Sequence, residues 1–148
     1  MSPDDPDLLF QVSTPGVSRP ALRAFTAQLR SRVAGGRSFC CLVTSDQQLR
    51  RLNRDFRQKD YGTDVLSFPS LHPNGSLGEI AISFPRAKRQ ATDYRHSVNT
   101  EIELLMLHGL LHLLGMDHER DRGRMARAEN QWRLALGLPP GPIERVNP

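Results

Sequence analysis

The stretch from Leu104 to Met116 constrains this chain more than any other: it is an apolar run interrupted by two histidines, His108 and His112, four residues apart. A membrane-spanning helix needs about 20 apolar residues, so the run reads as a buried core helix. Four residues advance a helix by about 400°, which sets the two imidazoles side by side, one turn apart, where one metal ion can bridge them. Gly115 then ends the helix, and the chain can fold back to bring His118 to the same point. Three neutral imidazoles leave a fourth position on zinc for water, the arrangement of a catalytic site rather than a closed structural one. Nickel suits the same donors. Unpaired imidazoles in so apolar a helix would be poorly solvated, which strengthens the metal reading. Asp117, beside His118, is either an acceptor that orients a ligand ring or a surface turn residue.

The spacing reproduces that of the metzincin peptidases, His-Glu-x-x-His-x-x-Gly-x-x-His, in every metal position and in the glycine, but Gly109 stands where a peptidase carries its general base. Peptide hydrolysis is therefore a minor reading. Glu101 shares the helix face but lies two turns away, about 10 Å along the axis, and is more simply a favourable charge in the first helical turn.

The remaining pattern alternates strands and helices. An edge strand is expected at Leu8 to Val12, then an amphipathic helix from Pro20 through Leu22, Phe25, Leu29 and Val33 to Gly35-Gly36. Ser38 to Val43 reads as a buried strand, and its adjacent Cys40 and Cys41 point to opposite faces and form no disulfide, as expected in a reducing compartment. Ser45 and Gln48 form a capping box for a second helix with an apolar stripe of Leu49, Leu52 and Phe56. On its other side Arg50, Arg54 and Arg57 fall at i, i+4 and i+7, with Lys59 just beyond. Asp64 to Phe68 and Gly78 to Phe84 read as strands of a hairpin around Pro73-Asn74-Gly75. A polar helix follows from Pro85 to Tyr94, then a capping box, Thr100 and Glu103, ahead of the apolar segment Ile102 to Leu114, and a last helix from Arg122 to Leu136. His72 and His96 have no paired spacing and read as surface or loop residues. The sum is a single domain over residues 1–148, with a small mixed sheet packed against helices.

Twenty basic against sixteen acidic side chains give a net charge of +4, which favours polyanionic partners. The acidic, proline-punctuated start MSPDDPDLLF lacks the basic and apolar parts of a secretory signal, so a cytoplasmic address is expected, with no membrane partner.

HGLLHLLGMDH, residues 108–118, resembles the signature of the YbeY family, His-Gly-x-x-His-x-x-Gly-Tyr-Asp-His, with Met116 in place of the tyrosine. Two further blocks agree: LNRDFRQKDYGTDVLSFP, residues 52–69, with Gly62 where proline is common, and LGEIAIS, residues 77–83. These blocks stand in the family's order over about half the chain. The resemblance implies an α+β, zincin-like fold and a cytoplasmic, zinc-dependent endoribonuclease that acts on single-stranded RNA. It further implies a place in ribosomal-RNA maturation, at the 3′ end of the small-subunit RNA, and in ribosome quality control, with RNA and the ribosome or its proteins as partners and no DNA. The family's functionally important arginine falls on Arg57. Arg57 then neutralises charge on the phosphoryl group while Arg50, Arg54 and Lys59 track the flanking RNA backbone. Asp64 and Glu79 lie in matching blocks and are open to either catalytic or strand-end roles. Two other readings stand beside this one: a ribosome-associated RNA-binding factor with a mainly structural zinc, and another zinc hydrolase acting on a peptide or ester.

Overall fold

Short runs of β-branched and aromatic residues, punctuated by residues that cap helices, build a four-stranded sheet with five helices. A computed structural model describes residues 7–71, 75–116 and 123–140. The order is β1 (Leu8–Phe10), α1 (Arg19–Gln28), which runs on into a π-helical turn (Leu29–Val33), β2 (Ser38–Thr44) and α2 (Asp46–Arg57). Then come β3 (Val65–Pro69), β4 (Ser76–Ser83), α3 (Phe84–Tyr94), α4 (Val98–Leu113) and α5 (Arg124–Ala135). The strands lie in the order β1-β2-β4-β3. Both β1 and β4 run parallel to β2, and β3 runs antiparallel to β4 from Val65↔Ile82 to Pro69↔Gly78. This is the mixed sheet of an α+β, zincin-like fold. Pro69 has no N–H to give the ladder and sits on the edge strand, where that loss is tolerated. Across from it, Gly78 has φ 140°, and a Cβ there would come within 2.9 Å of Pro69 Cα; glycine alone fits that backbone.

The two faces of the sheet bury different helices. Leu8, Phe39, Cys41, Val43, Ile80 and Ile82 point into the main core with Leu22 and Phe25 of α1 and Ile102, Met106 and Leu110 of α4. Leu66 and Ala81 point the other way, onto Leu49 of α2, with Leu52 and Phe68 at the margin. Cys41 is thus buried and Cys40 half-buried, and both are free thiols; burial pushes both thiols up from their ordinary range.

Helix α4 is apolar almost all round, the pattern of a helix enclosed by its neighbours, and it packs on β3, β4, α1, α3 and α5. Its first turn differs from expectation. The cap is Ser97, whose Oγ accepts from Thr100 N at 3.1 Å, so the helix starts a turn before Ile102 and Thr100 is already inside it. At the other end Gly115 has φ 92°, with Gly115 N bonded to His112 O and Met116 N to Leu111 O. That pair of bonds satisfies two terminal carbonyls in a Schellman motif, as the glycine foretold. No helix among the described residues is long and apolar enough to cross a membrane.

A further expectation needs correction. Phe56 is not part of the buried stripe of α2: it is 69% exposed, and the buried position is taken by Asn53, whose Nδ2 donates to Tyr61 O at 2.9 Å. This bond ties the loop after α2 to the helix, and the Phe56 ring lies instead against Phe68. His96 lies in a loop, as expected, and is half-buried there, with its Nε2 2.6 Å from Oε1 of Glu101, which is fully buried. His72 and the Pro73-Asn74 part of the hairpin turn lie outside the described residues, as does Arg122.

Glu103, half-buried on α4, has no comparable partner among the described residues, and burial pushes its carboxyl from an ordinary 4.5 up to about 6. An acid whose folded pKa is raised holds its proton in the native state while the unfolded chain ionises, so stability falls as pH rises from 4.5 to 6. Glu103→Gln should therefore raise the melting temperature above pH 6, with the two curves converging below pH 4.5. Thermal melts of both proteins across pH 4 to 8 check this; parallel curves would refute it.

Candidate functional site

The open side of α4 carries the two histidines. Nearly all their helical neighbours are buried, whereas His108 and His112 are half-buried. Their ring centroids lie 4.8 Å apart, and their Nε2 atoms face each other at 3.2 Å. Two nitrogens bound tetrahedrally at roughly 2.05 Å from one zinc ion lie about 3.3 Å apart. The donors and their spacing thus fit a shared ion. His118 and Asp117 lie outside the described residues, and among the described residues no cluster of three metal-ligating side chains occurs.

Behind His108 stands a pair of charged groups that the sequence reading missed. Nδ1 of His108 is 2.7 Å from Oε1 of Glu129, and Oε2 of the same carboxylate accepts from Nη2 of Arg133 at 3.1 Å. Glu129 and Arg133 lie one turn apart on α5 and are 5% and 4% exposed. The signal was available in their register: Met125, Glu129, Trp132, Arg133 and Leu136 fall on one stripe of the last helix. Two charged residues on an apolar stripe mark buried charges with a task.

Gly109 faces the hairpin. Its carbonyl oxygen accepts from Ser67 Oγ at 2.8 Å, and a Cβ would stand 2.7 Å from Ile80 Cγ2 and 3.1 Å from that hydroxyl. The position where a metzincin carries its general base is therefore packed against the sheet, without room for a side chain.

The basic residues of α2 lie on the opposite face of the sheet from α4. The same stretch of edge strand serves both: Ser67 bonds Gly109 on one face, and on the other the Phe68 ring meets Phe56 edge-on at 5.5 Å. Arg57 follows Phe56 at the end of α2 and is exposed, its side chain making no ion pair or hydrogen bond among the described residues. Arg50 and Arg54 differ. Arg50 Nε is 2.8 Å from Asp60, and Arg54 Nε is 3.3 Å from Asp55. The Asp60 hydrogen bond raises the Arg50 pKa further, and in return holds the Asp60 carboxyl below its usual range. Lys59 is exposed. Asp64 is buried and ties the chain together, accepting from Gln90 Nε2 at 3.2 Å and Thr63 Oγ1 at 3.4 Å, a structural role. Glu79 is exposed on β4, across from Phe68.

Comparison with known proteins gives one consistent result. The family model described as Endoribonuclease YbeY matches residues 16–137. A curated protein of that name from Solibacter usitatus is 54% identical over 145 residues, covering 98% of this chain and 97% of its own. Its namesake from Koribacter versatilis is 44% identical over 139 residues, covering 94% and 91%. A solution structure from Thermotoga maritima superposes with a TM-score of 0.61 at 22% identity, over 87% of this chain and 88% of the other, and so shares the fold.

Because the Gly109 Cβ position is filled, Gly109→Ala should destabilise the protein by about 1–3 kcal/mol, the usual range for overpacking, and Gly109→Glu by more. Urea denaturation checks this; an alanine variant as stable as the parent would show that α4 can move off the hairpin at no cost.

Proposed function

The chain belongs to the endoribonuclease YbeY family, and from that premise we propose that it is a zinc-dependent nuclease of single-stranded RNA. It acts in the cytoplasm on ribosomal RNA, at the 3′ end of the small-subunit RNA, and in ribosome quality control with the ribosome as partner. The observation that carries the metal part is the facing pair of Nε2 atoms on His108 and His112, 3.2 Å apart. His118 is the third ligand of the proposed site. A bound zinc ion supplies Lewis acidity and a more acidic water.

The chain's own residues supply the rest. Glu129 holds the Nδ1 side of His108, so the ring presents Nε2 to the site. Arg57 binds a phosphate: its planar fork can meet two phosphate oxygens at once, and no carboxylate among the described residues competes for it. Arg50 and Arg54 are paired with Asp60 and Asp55 and so contribute a weaker, general attraction together with Lys59. The filled position at Gly109 argues against a peptidase. RNA also brings its own 2′-hydroxyl, so internal attack and attack by water are both open to this residue set.

The test is cleavage of a single-stranded RNA spanning the small-subunit 3′ end by zinc-loaded protein. Chelation and His112→Ala should abolish cutting, and Arg57→Ala should slow it about 100-fold or more, as loss of a transition-state donor does. Arg54→Ala should cost no more than about threefold, the scale of an exposed ion-paired group. If His112→Ala and Arg57→Ala cut as well as the parent, the activity is not this site's, and an RNA-binding factor with a structural zinc becomes the better reading.

A further inference from the structure

We propose that Glu129 and Arg133 form a positioning relay that fixes the His108 imidazole in the tautomer and orientation needed to bind metal. The proposal rests on the zinc reading above and adds two residues of α5 to it.

The geometry is directional. A carboxylate only accepts hydrogen bonds, so the 2.7 Å contact with Glu129 Oε1 requires the proton of a neutral His108 to sit on Nδ1. Nε2 then carries the lone pair, and Nε2 is the atom that faces His112 at 3.2 Å. Arg133 holds the other carboxylate oxygen at 3.1 Å, so the carboxylate is fixed at both oxygens and cannot rotate away from the ring. The order along the relay is guanidinium, carboxylate, imidazole, each group orienting the next.

The energetics argue that the relay is there for more than stability. Exposed Glu–Arg pairs one helical turn apart are common and weak. This one is buried, with Glu129 5% and Arg133 4% exposed, beside Met125 in the main core. Burying two charges carries a desolvation penalty that the pair's own attraction often fails to offset, and apolar residues of similar volume would serve the packing as well or better. Arg133 also keeps its Nε buried without a hydrogen-bond partner among the described residues, a further cost accepted to bring Nη2 onto Glu129. What this arrangement gives, and apolar packing could not, is a fixed acceptor on Nδ1 of a metal-binding histidine. Loss of such an acceptor typically weakens metal affinity 10–100-fold.

The experiment uses the full metal-stripped chain, titrated with zinc against a competing chelator, with ¹⁵N NMR of the histidine rings as a second readout. In the parent protein His108 should be the Nδ1–H tautomer before zinc is added. Glu129→Gln should weaken zinc binding 10–100-fold and mix the His108 tautomers. Arg133→Lys, which keeps the charge but loses the fork, should give a smaller loss in the same direction. A parent His108 found with its proton on Nε2 overturns the relay without recourse to any variant. So does a folded Glu129→Gln that binds zinc within twofold of the parent and is merely less stable, since that is a structural pair only. A parent that binds zinc no better than His112→Ala removes the zinc reading, and the relay falls with it.

Discussion

Helix α4 approaches the β3–β4 hairpin so closely at Gly109 that a Cβ there would meet Ile80 and Ser67 below ordinary contact distance. A glycine inside a helix costs roughly 0.5–1 kcal/mol relative to alanine, and the return is a helix seated directly on the sheet with its rotation fixed. In a helix the residue before Gly109 points about 100° away from it, and the residue three after it about 60° away in the same sense. Seating Gly109 on the sheet therefore turns His108 and His112 together to the side where α5 docks. The bond from Ser67 Oγ to the Gly109 carbonyl holds the same contact from the sheet side. The placement of the two imidazoles is thus a consequence of one missing side chain.

The polar groups around α4 follow a rule that this close packing enforces. A charge inside so apolar an environment is tolerated only with a partner. Glu101 finds His96 and Glu129 finds both His108 and Arg133, whereas Glu103 responds by holding its proton more tightly. On α2, where water is at hand, pairing is a matter of local neighbours, and it divides the arginine row into two that meet carboxylates and one, Arg57, that does not.

What the sequence made legible was whatever is decided within a few residues of chain. The caps at Ser45 and Gly115, the strands β2 and β4 and the opposed cysteines all have local causes, and the structure has them where the pattern put them. At the start of α4 the expected cap, Thr100, lies inside the helix, and Ser97, three residues earlier, caps it instead. Other features depend on partners far along the chain. Phe56 looks like a core residue until Asn53 is seen to bond Tyr61 O, and the loop residue His96 gains its partner only once Glu101 is buried beside it. Glu129 is the sharpest case. Its meaning depends on α5 docking against α4, which no spacing within either helix expresses, although its position on an apolar stripe was a visible anomaly.

The contrast between Gly109 and the glutamate of the peptidase motif also bears on substrate. With the same histidine spacing but no side chain at that position, proton removal from a nucleophile has to come from elsewhere, and a substrate with an internal hydroxyl beside its scissile bond eases that demand. A polyanionic substrate in turn needs a cation where its charge develops. That cation, on the proposed reading, is Arg57, which is exposed and unpaired among the described residues at the end of α2. On the proposed reading, one packing constraint both denies the chain a peptidase's base and turns its two histidines to the side where α5 docks. The choice of RNA over peptide then follows as much from what α4 cannot carry as from the basic residues of α2.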